Sequence, residues 1–358
     1  MTKNPRGFAS DNYAGIHPAV LRAIAEANEG HEIAYGEDSV TADFDRVVRD
    51  LFGNDAVGFP VFNGTGANIV ALQAATQRWE AVICAASAHI HVDEGGAPEK
   101  MAGLKLWTVP SSTGKLTPEL VASQIFDIGS VHRAQPGVVS ITQTTELGTL
   151  YQVDEIKAIA DVAHQNGLLL HLDGARISNA AAALGKTFKE FTTDAGVDLV
   201  SLGGTKIGAM GAEAVIVTNA KSARGAALAD ALPYLRKSSM QLGSKMRFMS
   251  AQLVALFDNG AKVALENAKH SNLMASKLYD GVVEIAAEYP VISVENKAEA
   301  NAVFPVLPES VAEALVSQYR FYVWNQETGQ VRWMCSWDTT EEDVAGILKA
   351  LRLALQNQ

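Results

Sequence analysis

Short apolar runs alternate with helical patterns through the middle of the chain, the order expected of a mainly parallel sheet with helices packed against it. The runs fall at 81–84 (AVIC), 138–142 (VVSIT), 168–172 (LLLHL), 198–202 (DLVSL) and 214–218 (AVIVT). Between the second and third lies VDEIKAIADVAHQNG, where Ile156, Ile159, Ala160 and Ala163 recur at helical spacing. Asp154 and Glu155 suit its first turn and Gly167 its end, so a strand–helix–strand unit is predicted. After about residue 245 the pattern changes to a long alanine-rich helix over 251–284. Strands at VISVEN and FYVW and a last helix over 340–355 follow. The pattern thus divides the chain into a large α/β domain, 1–245, and a smaller α+β domain, 246–358.

Composition adds bounds. The chain has 358 residues, 48% hydrophobic and 19% charged, ordinary for a globular protein with a large core. No apolar stretch is long enough for a membrane-spanning helix, and the N-terminus has no signal-peptide pattern. Two cysteines, Cys84 and Cys335, suit a reducing compartment, so a cytoplasmic protein is expected. The net charge of -11 argues against nucleic acid or an anionic membrane as the main partner, but not against a local cationic pocket.

In open α/β sheets ligands collect at the carboxyl ends of strands. Asp173, Glu146, Thr205 and Lys206 all stand just after strand-like runs. Gly64 and Thr65 in FNGTGANIVAL precede a helical pattern, where backbone N–H groups can cradle a phosphate. By itself that turn does not separate a phosphate site from an ordinary turn. Lys206 stands among Gly203, Gly204, Gly208 and Gly211, a small-residue surround that suits either a solvated turn or a lysine poised for Schiff-base chemistry. Asp173 lies 33 positions earlier. A pyridine aldehyde cofactor needs a lysine for the aldehyde, an anion beside the ring nitrogen and a phosphate cradle. Together these residues supply all three.

With those motifs in place, the sequence resembles the threonine aldolase family of pyridoxal-phosphate enzymes. The resemblance runs from ASDNYAGIHP through AYGEDSVT, FNGTGAN, SAHIHVDEGGAPE, TQTTELGTLY, HLDGARISNAAAALG, GGTKIGAMGAEA and SKMRFMSA to VRWMCSWDT. It implies fold type I: a large domain with a mainly parallel seven-stranded sheet flanked by helices, and a small C-terminal domain. It implies that Lys206 forms the Schiff base, that Asp173 pairs with the pyridine nitrogen, that Gly64 and Thr65 bind the phosphate, and that Thr205, the hydroxyl residue before the lysine, binds the cofactor. His89 is expected to stack on the ring, and Arg176 to lie near the cofactor oxygen and the substrate carboxylate. Ser10 and Arg332 match positions that hold that carboxylate, and His132 one near the substrate hydroxyl. Arg247, with Tyr35, matches a residue that reaches a neighbouring subunit's site, so a homodimer or homotetramer is expected. TQTTELG departs from the asparagine-rich loop of many relatives, which leaves contacts of Gln143 and Glu146 open.

The implied activity is reversible cleavage of L-threonine, L-allo-threonine or related β-hydroxy-α-amino acids to glycine and an aldehyde. His89, His132 or a water they hold is the base for the hydroxyl, and no metal is expected. A β-eliminating lyase or an aminotransferase of the same fold would use the same lysine and aspartate. A nucleotide-binding protein with no bound aldehyde would use only the glycine turn. His17, His31, His91, His164 and His270 are read as surface or packing residues, and His171 as a hydrogen-bonded core residue. For Arg332, packing on Trp333 and Trp337 competes with carboxylate binding.

Overall fold

The computed structural model describes residues 6–358. Seven strands form one sheet: β1 (Val57–Val61), β2 (Glu80–Ala85), β3 (Lys105–Val109), β4 (Gln135–Thr142), β5 (Leu169–Gly174), β6 (Leu199–Gly203) and β7 (Glu213–Val217). Their order is β1-β7-β6-β5-β4-β2-β3. The run β3-β2-β4-β5-β6 is parallel, whereas β7 is antiparallel to both β6 and β1. All five apolar runs are strands. β1 and β3 escape the pattern because β1 carries Gly58 and Pro60, and β3 is half-exposed.

The reversal at β7 matters for function. Glu213, the first residue of β7, pairs with Gly203 at the end of β6 and with Val61 at the end of β1. The ends of β1, β5 and β6 therefore share one edge with the start of β7.

Helices cover both faces. Ile156, Ile159, Ala160 and Ala163 of the helix Val153–Gln165 are buried in one core, beside Leu170 and Leu172 of β5. On the other face the helix Gly64–Ala75 is buried almost all round, as a helix between sheet and outer helix must be. Gly58 shows why a small residue is needed in β1: a Cβ there would sit 2.6 Å from Val48 and 2.9 Å from Phe44.

The predicted helix over 251–284 extends over Arg247–Glu288 but breaks at Asp258, Asn259, Gly260 and Ala261, the last three with φ of 53°, 70° and 59°. Its first half packs in the large core through Leu253, Leu256 and Phe257, its second half in a separate core through Met274, Leu278 and Val282. That second core backs a three-stranded sheet, β8 (Ala302–Val303), β10 (Gln330–Met334) and β9 (Tyr322–Asn325) in spatial order. FYVW contributes to β9. VISVEN does not become a strand and makes one bridge, Ser293 to Val306. The last helix spans Glu341–Gln356 behind a capping box of Thr340 and Asp343.

Candidate active site

A cavity of about 210 Å³ opens at the shared strand edge, lined among others by Asn63, Gly64, Thr65, His89, Asp173 and Lys206. Asp173 closes β5, and its two oxygens accept from Asn68 Nδ2 at 2.8 Å and the Ala175 N–H at 3.0 Å. Lys206 follows β6 on the turn Thr205–Ile207. Glu213 receives the Gly204 and Thr205 N–H groups at 2.7 and 3.3 Å and so fixes the backbone that carries the lysine.

Electrostatics favour a reactive amine. Burial, and then the Arg176 charge, push the Lys206 ammonium below its ordinary pKa, against the pull of Asp11, Asp173 and Glu213. His89 moves the other way. Its Nδ1 lies 2.9 Å from Glu94 Oε1, and that hydrogen bond, helped by Asp173, raises its pKa against burial. With Nδ1 engaged, Nε2 is the free ring nitrogen.

At the cradle, Asn63 caps the helix Gly64–Ala75 by accepting the Gly66 N–H at 2.7 Å, which leaves the Gly64 and Thr65 N–H groups for a ligand. Gln241 packs against Gly66, where a Cβ would meet its amide at 2.2 Å, and accepts the Phe62 N–H.

Several expected residues are placed differently. Arg176 is not free: its guanidinium donates to both oxygens of buried Asp11, at 2.8 and 3.0 Å, and Asn301 Nδ2 donates to the same carboxylate at 3.1 Å. Burial opposes the Asp11 charge, but Arg176 and then Lys206 outweigh it and hold the carboxyl low. Ser10 caps the turn Asp11–Tyr13 through the Asn12 N–H. Arg332 stacks on Trp324 at 4.3 Å rather than on Trp333 or Trp337, donates to the Ala9 carbonyl, and keeps a buried Nε without a partner. Burial, and then Arg176, lower its pKa to about 10. Both readings of Arg332 survive, since one face is stacked and one nitrogen is unused.

Ser10, Arg176 and Arg332 do not line the cavity, and neither do His132, Tyr35 and Arg247. His132 is exposed and precedes β4, at the opposite edge of a parallel sheet. Tyr35 is exposed under Lys237, and Arg247 donates to the carbonyls of Glu29 and Gly30. In TQTTELG, Gln143 is turned inward onto the Tyr151 backbone, whereas Glu146 accepts from the His89 N–H and from Thr142. Asn12, Asn68, Glu94, Ser201 and Glu213 were not singled out. Asn12, Asn68, Glu94 and Glu213 lie within the motifs that carry the resemblance and Ser201 within the apolar run 198–202, but a buried polar side chain carries no periodic signal.

The donor set fits a phosphorylated pyridine aldehyde: backbone N–H groups at a helix start, a carboxylate on β5 and a half-buried amine on the turn after β6. Fold and site together define a pyridoxal-phosphate-dependent enzyme of fold type I. Residues 7–307 match the family model for beta-eliminating lyases. The chain is 43% identical to the low specificity L-threonine aldolase of Pseudomonas aeruginosa and 42% identical to that of a Pseudomonas sp., each over 99% of both chains. A solved structure of Leishmania major threonine aldolase matches with a TM-score of 0.88 at 30% identity, covering 98% of this chain and 100% of that one. The chain belongs to the beta-eliminating lyase family and, within it, to the threonine aldolases. Among the described residues no helix is long and apolar enough to cross a membrane.

Proposed function

We propose that the protein cleaves L-threonine, L-allo-threonine or related β-hydroxy-α-amino acids to glycine and an aldehyde, with pyridoxal 5′-phosphate in the cavity. The reading is carried by Asp173 on β5 and Lys206 on the turn after the neighbouring β6, which line one cavity. When bound, the cofactor supplies an electron-accepting ring that makes the substrate Cα–Cβ bond breakable.

The chain's own residues do the rest. Lys206 presents an amine whose charge is disfavoured, the form that attacks a carbonyl. Asp173, held by Asn68 and Ala175, keeps a negative charge where a ring nitrogen must stay protonated. Gly64 and Thr65 would bind the phosphate, and Thr205, beside the lysine, would contact the cofactor. His89 covers the ring and moves the hydroxyl proton through Nε2, with Glu94 stabilising its charged form. Arg332 and Ser10 hold the substrate carboxylate, and Arg176, steadied by Asp11, sets the positive field beside it.

His132, Tyr35 and Arg247 complete the site from a second subunit of a homodimer or homotetramer, which suits the exposure of His132 and Tyr35 in the single chain. Two buried, unbridged cysteines fit a cytoplasmic location. The division into a cofactor-binding unit, 1–245, and a small domain, 246–358, is part of the same proposal.

The test is borohydride trapping followed by peptide mapping, and product analysis with L-threonine. Cofactor fixed on Lys206, with equal yields of glycine and acetaldehyde, supports the reading. Release of ammonia and a keto acid, or turnover only with an added keto acid, replaces it with the lyase or aminotransferase alternative.

A further inference from the structure

Beneath the cavity, three polar side chains form a row across β4, β5 and β6. His171 Nδ1 lies 2.9 Å from Ser140 Oγ, and His171 Nε2 lies 3.0 Å from Ser201 Oγ. Ser140, His171 and Ser201 are 4%, 0% and 4% exposed, and only Ser201 of the three lines the cavity. His171 and Asp173 point to the same face of β5, being two residues apart, and Ser201 is the β6 register partner of Asp173.

A neutral imidazole has one donor and one acceptor, so the row has two possible senses. In one, Ser140 accepts from Nδ1–H and Ser201 donates to Nε2. The Ser140 hydroxyl proton is then left in the core, where among the described residues no other side chain or carbonyl accepts it. In the other, Ser140 donates to Nδ1, Nε2–H donates to Ser201 Oγ, and the Ser201 hydroxyl proton is free to point into the cavity. An orphaned buried donor costs about 1–3 kcal/mol, which decides for the second sense. The imidazole stays neutral because burial pushes its pKa down to about 4, although Asp173, the charged group facing it, pulls upward.

We propose that Ser140 and His171 are positioning residues that fix Ser201 as a hydrogen-bond donor into the cofactor cavity beside Asp173. The inference rests on the proposed cofactor site, but the sense of the relay is set by the protein alone. Its function is directional: a serine hydroxyl that would otherwise rotate between donating and accepting is offered to a bound acceptor in one sense only. Such preorganisation lowers the reordering needed when the cofactor enters.

The test has two arms. Nitrogen NMR on protein labelled in its eight histidines, with His171 assigned by loss of one signal set in His171→Asn, reads the tautomer with and without pyridoxal phosphate. The expected result is a neutral ring with its proton on Nε2 from about pH 6 to about pH 9. In the second arm, Ser201→Ala is expected to raise the pyridoxal phosphate Kd about tenfold and Ser201→Thr to restore it to within about twofold. A proton on Nδ1, an imidazolium, or an unchanged Kd in Ser201→Ala overturns the proposal. A protein that takes up no pyridoxal phosphate at all overturns the functional reading instead, and the tautomer still decides the relay.

Discussion

Arg176 is locked to Asp11 by two charge-assisted hydrogen bonds of 2.8 and 3.0 Å, so the guanidinium whose charge acts on the reactive lysine is already committed within the chain. The pair is almost closed to solvent, with side-chain exposures of 12% and 2%. Removing one partner leaves an uncompensated buried charge, and such breaks cost about 3–5 kcal/mol. Asp11→Asn is therefore expected to lower unfolding stability by an amount of that order in urea denaturation. It should also lower the Lys206 pKa further, because Asp11 supports the ammonium. A stability change within about 0.5 kcal/mol, the scale of an ordinary surface substitution, would show that the pair is dispensable.

Asp173→Asn replaces a carboxylate that Asn68 and Ala175 hold in place. The amide conserves shape but not charge. Threonine cleavage should fall on the order of a hundredfold or more while circular dichroism stays unchanged. Parent-like turnover in this variant would remove Asp173 from the mechanism.

For Arg332, the planar group is stacked on Trp324 with a free buried Nε, a geometry that an ammonium cannot reproduce. Arg332→Lys is expected to reduce kcat/KM for threonine roughly ten- to a hundredfold, the effect of one lost charge-assisted hydrogen bond. Unchanged steady-state kinetics would assign Arg332 to packing alone.

His89 and Glu94 make stability depend on pH. The His89 pKa is raised in the folded protein, so its contribution is fully present below the unfolded value of about 6.5 and is lost as pH rises through the folded value. In the cofactor-free protein, Glu94→Gln should bring the His89 titration, followed by NMR, downward. It should also flatten the fall in unfolding midpoint across neutral pH. An unmoved His89 titration would mean that Glu94 is not its partner in solution.

Arg247 binds the carbonyls of Glu29 and Gly30 in its own chain and does not line the cavity that Gly64 and Thr65 line. If it serves a second subunit, Arg247→Ala weakens cofactor retention more than folding. Mixed with Lys206→Ala under conditions where subunit exchange is shown by tag pull-down, it should regain activity through one intact composite site. Exchange without recovery would confine each site to a single chain.

The sequence by itself determined the five central strands of the sheet and the polar residues that follow them, but not the outer strands β1 and β3. The runs at 138–142, 168–172 and 198–202 could only be buried strands, and a polar residue that ends such a strand must emerge at the ligand edge, as Asp173 does. The tertiary structure decided what faces what. Antiparallel β7 brings Glu213 under the lysine turn, Asn68 joins Asp173 to Glu94 across 105 and 26 positions of chain, and Asp11 takes Arg176 across 165. Hydrophobic periodicity is local because it follows the backbone repeat. The partner of a buried polar group is chosen by satisfying every donor and acceptor once the elements have packed, and no local pattern encodes that choice.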